Sequence, residues 1–474
     1  MISHVEISPL PPGRYESVLA PHRAEEFRRD LLRAKAIFEG RTVWNVNSTA
    51  AGGGVAEMLR SLLSYARGAD VDTRWVVMSG TPDFFAITKR IHNNLHEFEG
   101  DGGELGPAEH QRYEAATQAN CDALCAMVRP RDIVILHDPQ TAGLIPRLKE
   151  LGVPVVWRCH VGIDNPGRLS RHAWQFLIGY VRQADAYVFS RQSFAWEGLD
   201  VARIALIAPS IDPFSPKNSD MDQTSARAIL LAAGLVGGGD VPHDPAFFRQ
   251  DGSTSLIEHR AQMFETQPAH VTDRVVLQVS RWDHLKDPLG VIRGFAEHVA
   301  PYSDAHLIYA GPAVEAVSDD PEGRQVFVDA INTWKGLPDD QRARVHLAAL
   351  PMIDGDENAA MVNALQRHAY TVVQKSIAEG FGLTVAEAMW KAKPVLASRI
   401  GGIQDQIEDG RSGLLLDDPL DLAEYGRRVL DLLGDEPRAG EMGTAAQERV
   451  RDQFLGTRSL FQYMNLLAGL PESP

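Results

Sequence analysis

From residue 42 onward, the chain alternates short apolar runs with stretches whose apolar residues recur at helical spacing. Residues 42–46 form one such run and lead into Ser48-Thr49-Ala50-Ala51-Gly52-Gly53-Gly54. Beyond it Val55, Met58, Leu59, Leu62, Leu63 and Ala66 fall at i, i+3, i+4, i+7, i+8 and i+11, which predicts a helix with one apolar face. Further strands are predicted at 74–79, 132–136, 154–159, 186–190 and 204–208, with helical spacers between most of them, including one over 115–128. The runs are nearly continuous in Val, Ile and Leu rather than alternating. That is the pattern of strands buried on both faces, as in a parallel sheet covered by helices.

The rhythm breaks between residues 213 and 273, where Gly237-Gly238-Gly239 and a mixed stretch carry little strand character. This segment reads as an inter-domain connection with a helical insertion, over 223–235 and around 255–264. Strands resume at 275–279, 306–310, 344–350, 370–374, 394–398 and 413–416. The expected fold is therefore α/β with two Rossmann-like parallel-sheet domains. A leader spans 1–40, the first domain 41–215, the connection 216–272 and the second domain 273–455. A last helix in 456–474 is expected to pack back toward the first domain. Nothing repeats at a period of about 20–50 residues, which excludes solenoids and propellers.

Composition narrows the class. The 474 residues suit two or three domains, and 44% hydrophobic content excludes wholesale disorder. With 47 Lys and Arg against 63 Asp and Glu, the net charge is −16. That excludes a general nucleic-acid binder and a polybasic membrane-surface protein. An anionic substrate would have to be held by a small local group of basic residues. Cys121, Cys125 and Cys159 are too few and too irregular for a disulfide framework and read as ordinary thiols. Residues 1–15 lack the basic-then-apolar order of a signal peptide, and no run approaches a membrane span. The expected compartment is the cytoplasm.

Ligands of open parallel sheets bind beyond the carboxyl ends of the strands. The distinctive residues fall there: Gly52 to Gly54, His137-Asp138, His160, Arg281, Gly311, Glu379-Gly380-Phe381-Gly382 and Gly401-Gly402. Gly52-Gly53-Gly54 opens a helix, so its free N–H groups suit either an anion or a tight turn. It is not G-x-G-x-x-G, and no G-x-x-x-x-G-K-S/T occurs. Arg281 and Lys286 suit a diphosphate, or pair with Asp283 and Asp287 in a solvated loop. Glu379 and Glu387 suit sugar or ribose diols, although Glu387 taken alone equally fits an ordinary helix-surface carboxylate. His160 and His137-Asp138 fit structural hydrogen bonding as well as chemistry. No H-E-x-x-H or comparable ligand cluster is present, so no metal site made of protein side chains is expected.

In this order the pieces resemble the retaining glycosyltransferases of GT-B fold, the large family that includes bacterial-type glycogen and sucrose synthases. The carrying motif is Glu379-x7-Glu387 within residues 375–390, with Arg281 and Lys286 upstream. The stretch Val43-Trp44-Asn45-Val46-Asn47 through Gly54-Val55-Ala56-Glu57 resembles more closely the subgroup of nucleotide-sugar-dependent trehalose synthases. His137-Asp138-Pro139-Gln140, Trp157-Arg158-Cys159-His160 and Pro209-Ser210-Ile211-Asp212-Pro213 fit the same subgroup, which also contains retaining trehalose phosphorylases.

The resemblance, over about residues 40–215 and 273–465, implies two domains facing across a cleft, the first for the acceptor and the second for the donor. Arg281 and Lys286 would hold the donor diphosphate, helped by Gly53 and Gly54. Glu379 would hold the donor glucose, beside Gly380, Phe381, Gly382 and Leu383, and Glu387 the ribose. His160 would lie near the reacting centre, with Asn47, Asp138 and Gln140 for the acceptor. His160, Glu379, Arg281 and Lys286 are the implied catalytic set. The implied reaction moves glucose from ADP-, UDP- or GDP-glucose to glucose, giving trehalose. Same-face attack retains configuration, and the departing phosphate oxygen takes the acceptor proton. No cofactor is required, with Mg2+ allowed as a counter-ion. The partners are small sugars and a nucleotide sugar, without nucleic acid or membrane, and a homodimer is allowed. The alternatives are a retaining trehalose phosphorylase, a related transferase with another acceptor, or a sugar-binding regulator on the same scaffold. The 219–273 insertion is longer and richer in glycine than the subgroup pattern.

Overall fold

The computed structural model describes residues 2–50, 53–240, 243–314 and 321–471, with side chains left out at 321 and 322. Gly52 of the expected glycine loop lies outside the described residues. The chain divides into two compact units, residues 1–210 with the chain from Phe454 onward, and Ile211–Gln453.

The first unit is built on a seven-stranded sheet. Its strands are β1 (Ser3–Val5), β2 (Val43–Asn47), β3 (Thr73–Val77), β4 (Ile133–His137), β5 (Val155–Arg158), β6 (Ala186–Phe189) and β7 (Ile204–Leu206), in the order β1-β3-β2-β4-β5-β6-β7. All pairings are parallel except β1 with β3. β2, β4, β5 and β6 are buried at every position, which is why their sequences run apolar without alternation. The helix Gly54–Gly68 follows β2 and buries Met58, Leu59, Leu62 and Leu63, as its spacing requires. Residues 1–40 are not a mere leader: they supply the edge strand β1 and the helix Pro21–Ile37. The helix Gly456–Ala468 packs against Pro21–Ile37 and Gly54–Gly68, putting Met464 and Leu467 into a core with Val43, Ile133 and Val156. The Arg458 guanidinium donates to the Ala208 carbonyl at 2.7 Å and holds this helix to the strand-side chain.

The second unit repeats the plan. A two-stranded hairpin, β8 (Ala246–Phe248) with β9 (Thr254–Leu256), precedes a sheet of β10 (Gln262–Phe264), β11 (Val275–Val279), β12 (His306–Pro312), β13 (Val345–Leu350), β14 (Thr371–Gln374), β15 (Val395–Ser398) and β16 (Leu414–Leu416). Its order is β10-β13-β12-β11-β14-β15-β16, parallel except for β10. Segment 216–272, expected as a connection, belongs to this unit. Helix Gln223–Ala232 packs against Gly355–His368, while Glu357 Oε1 accepts from the backbone N–H groups of Glu258 and His259 at 2.7 and 2.8 Å. Residues 255–264, expected as helix, contribute to two three-residue strands. Strands that short are defined by their partners, not by their own periodicity. Among the described residues no helix is long and apolar enough to cross a membrane. Cys121, Cys125 and Cys159 are free thiols.

Candidate active site

Each sheet has one place where the chain's crossovers reverse direction, and that switch point is where open α/β sheets bind ligands. In the second unit it lies between β11 and β14. The chain after β11 carries Arg281 and Lys286, and the chain after β14 carries Glu379. Lys286 Nζ donates to Glu379 Oε2 at 2.5 Å, each side chain being 15% exposed. Gln278, fully buried on β11, joins the two loops: its Nε2 donates to the Lys286 carbonyl at 2.9 Å and its Oε1 accepts from Lys375 N at 3.2 Å. The Ile377 N–H adds a bond to the Leu285 carbonyl at 2.7 Å. Asp287, at a left-handed φ of 48°, caps the next helix through Gly290 N and pairs with the buried Lys375. Arg281 is half exposed and reaches Asp283 at 3.2 Å, a weak surface contact that leaves the guanidinium on the rim.

Gly380, Phe381 and Gly382 form the turn into the helix Leu383–Trp390. Gly382 adopts a φ of 80°, and the Gly380 carbonyl accepts from Gly402 N at 3.1 Å. Gly401, φ 47°, lies so close that a Cβ there would stand 1.8 Å from the Glu379 carbonyl oxygen. Glu387 is 3% exposed, so it is not a surface carboxylate. Its Oε1 is 3.8 Å from Lys217 Nζ, and its Oε2 has no hydrogen-bond partner among the described residues. Lys391 sits beside it, donating to Asn218 Oδ1, Gln366 Oε1 and the Glu387 carbonyl at 3.0, 2.8 and 3.1 Å. Burial holds the Lys391 ammonium well below its ordinary pKa, with the Glu387 charge opposing that shift. Lys217 and Lys391 are members of this cluster that spacing in the sequence does not reveal.

In the first unit the switch point lies between β2 and β4. Asn47 ends β2, His137 ends β4, and His160 follows the neighbouring β5. His137 and His160 are linked Nδ1 to Nε2 at 3.1 Å, with His137 Nε2 3.1 Å from Asn45 Oδ1 and Arg158 Nε 3.4 Å from His160 Nδ1. Arg158 can only donate, so the chain of neutral tautomers runs one way: Arg158 to His160 to His137 to Asn45. Both ring nitrogens of His160 are therefore engaged inside the unit. Asp138, at a φ of 65°, accepts from His160 N at 2.7 Å. Burial raises its pKa to about 6, against the lowering effects of that bond and of Arg158. Asn47 is engaged too, accepting from Trp75 Nε1 at 2.8 Å and donating to the Thr49 carbonyl at 2.7 Å. Gln140 is partly exposed two residues beyond Asp138. Gly53 caps the helix that begins at Gly54, with extended backbone and open space around it: a Cβ there would meet nothing within 4 Å. Among the described residues, no three His, Cys, Asp or Glu side chains converge as a metal-ligand group.

Two family models match the chain: the trehalose synthase N-terminal domain over residues 45–196, and glycosyl transferases group 1 over residues 260–449. A trehalose synthase of Rubrobacter xylanophilus is 34% identical over 457 residues, 95% of this chain and 97% of that protein. The chain belongs to the trehalose synthase family. A second member, from Pyrococcus horikoshii, is 32% identical over 457 residues, covering 96% of this chain and 95% of its own. Among solved structures, a UDP-forming α,α-trehalose-phosphate synthase from Burkholderia xenovorans, in complex with glucose-6-phosphate, superposes with a TM-score of 0.65. It covers 90% of this chain and all of its own at 12% identity, a likeness of fold alone. The fold is GT-B, and this family member is a hexosyltransferase, a glycosyltransferase of trehalose metabolism.

Proposed function

We propose that the enzyme transfers glucose, with retention, from a nucleoside diphosphate glucose to free glucose and so forms trehalose. The observation that carries this reading is the Lys286–Glu379 pair at the switch point of the second unit's sheet, with Arg281 on the same loop as Lys286. In the transfer the anomeric C–O bond to the diphosphate breaks and a bond to the acceptor hydroxyl oxygen forms on the same face. The departing phosphate oxygen takes the acceptor proton, which leaves atoms and charge balanced. Positive charge then develops on the sugar and negative charge on the leaving group. Arg281 and Lys286 are the groups for the latter, each worth about 2–4 kcal/mol by comparison with oxyanion-type deletions.

Glu379 is assigned to the hydroxyls of the donor glucose, flanked by the Gly380, Phe381, Gly382 and Leu383 backbone. Glu387 is assigned to the ribose, because a buried carboxylate oxygen without a partner is costly unless a ligand donates to it. His160, held neutral, is assigned to the reacting centre, and Asn47, Asp138 and Gln140 to the acceptor. Asn47 and His160 would have to exchange internal hydrogen bonds for ligand ones.

The test mixes the protein with ADP-, UDP- or GDP-glucose and glucose, follows nucleotide release, and digests the product with trehalase. A trehalase-sensitive product formed without inorganic phosphate is expected. Activity that requires phosphate and no nucleotide sugar would make the enzyme a phosphorylase instead.

A further inference from the structure

A cavity of about 420 Å3 opens at the edge of the second sheet opposite Lys286 and Glu379, where the strands begin. Arg274 directly precedes β11, Tyr370 precedes β14, and Lys393 comes two residues before β15; all three line it. Helices close its other sides, with Arg227 from Gln223–Ala232 and Arg367 and His368 from the end of Gly355–His368. In a chain of net charge −16, this lining sets four cations, Arg227, Arg274, Arg367 and Lys393, against two carboxylates, Asp273 and Glu436.

The local charges are unevenly satisfied. Asp273 already accepts from His270 N at 2.7 Å and lies 3.4 Å from His306 Nε2. Arg274 is bonded to Asp304 and to the Leu433 carbonyl. Arg367 meets Asn363, the Ser219 carbonyl and, at 3.4 Å, the fully exposed Asp220. The side chains of Arg227 and Lys393 have no hydrogen-bond or ion-pair partner among the described residues. His368 Nε2 and Tyr370 Oη are buried and unpartnered. The cations feel one another: burial and then Arg367 push the Lys393 ammonium down to about 8, and burial, Lys393 and Arg227 hold His368 at about 4. A bound anion would relieve all of these at once.

We infer that this cavity binds a monosaccharide phosphate. A phosphate ester carries a charge of about −1.5 to −2 near neutral pH, which matches the surplus of positive charge in the lining. Guanidinium and ammonium groups are its ordinary partners. The volume falls in the range of small-molecule sites, about 300–1,000 Å3, and leaves room beyond one phosphoryl group. Tyr370, Thr272 and Gln223 line that room with groups that bond sugar hydroxyls.

The test is titration calorimetry on the full chain at fixed ionic strength, with saturating nucleoside diphosphate present. Glucose 6-phosphate, inorganic phosphate and glucose are separate titrants. Glucose 6-phosphate should bind at least tenfold more tightly than either of the others. Arg227→Glu and Lys393→Met should each weaken it at least tenfold while leaving the melting temperature unchanged. Arg227 is exposed, so its variant carries the test should Lys393→Met fail to fold. Absence of binding, equal affinity for inorganic phosphate, or affinity that the variants leave unchanged would overturn the assignment. Arg227 and Lys393 lie at the opposite edge of the sheet from Lys286 and Glu379, so binding lost in these variants reports this cavity, while binding they leave unchanged belongs to the proposed transferase site.

Discussion

Lys286 and Glu379 are 93 residues apart in sequence and 2.5 Å apart in space, because β11 and β14 are neighbours at the point where the second sheet's crossovers reverse. Little solvent reaches the pair, so removing either partner strands a charge. Lys286→Ala and Glu379→Ala should each lower kcat by a factor of about 10²–10³ or more. In thermal melts the double variant should be less destabilised than the sum of the two singles. Near-normal turnover in either single variant would refute the role given to that residue.

Glu387 is expected to act on binding more than on chemistry. Glu387→Gln keeps the volume but loses the acceptor strength of the buried, unpartnered Oε2. A lost hydrogen bond to a charged group is worth about 1.5–3 kcal/mol, so KM for the donor should rise roughly 10- to 100-fold, with a smaller change in kcat. Steady-state kinetics against donor concentration checks this. A collapse of kcat at unchanged KM would move Glu387 to the reacting centre.

The central strands were legible because β4 and β11 are buried on both faces and announce it in Ile133 to Leu136 and Val275 to Val279. The short edge strands were not: β1 exists by pairing Val5 with Trp75, and β10 by pairing Phe264 with Leu347. Lys286 and Glu379 could be picked out one by one, each following a predicted strand, but their mutual contact depends on strand order. The surroundings of Glu387 were less accessible still, since Lys391 reaches Asn218 across 173 positions. The same holds for the tautomer chain, which needs Asn45 and His137, 92 positions apart, on adjacent strands.

The loop that carries Glu379 depends on a glycine outside the motif. Gly401 combines a φ of 47° with a position where any Cβ would meet the Glu379 carbonyl at 1.8 Å. Backbone cannot yield as a side-chain tip does, so Gly401→Ala should displace the Glu379–Gly380 peptide. The strain should cost about 1–3 kcal/mol of stability. Nucleoside diphosphate affinity and turnover should fall together, as read by calorimetry and kinetics beside a melting curve. A variant with native melting temperature and activity would show that the loop accommodates the methyl group.

The histidine pair makes stability depend on pH in a definite direction. Burial, then the Arg158 charge, hold His137 at about 3 and His160 well below the ordinary 6.5. Between about pH 3 and 6.5 the unfolded chain therefore binds protons that the fold refuses. Stability from these rings is complete above pH 6.5 and is lost as pH falls through that window. Asp138 acts oppositely, since its pKa is raised from 3.8 to about 6 and the folded carboxyl keeps a proton the unfolded chain releases. Two imidazoles against one carboxyl leave the unfolded chain with the larger proton uptake, so the net contribution of these groups should fall as pH drops from 6 to 4. His137→Gln removes one imidazole and should bring this contribution close to zero. Other depressed groups such as His368 contribute equally to both proteins and cancel in the difference. Urea unfolding at intervals from pH 4 to 7 measures both slopes, and a variant as steep as the wild type would place the titrating group elsewhere.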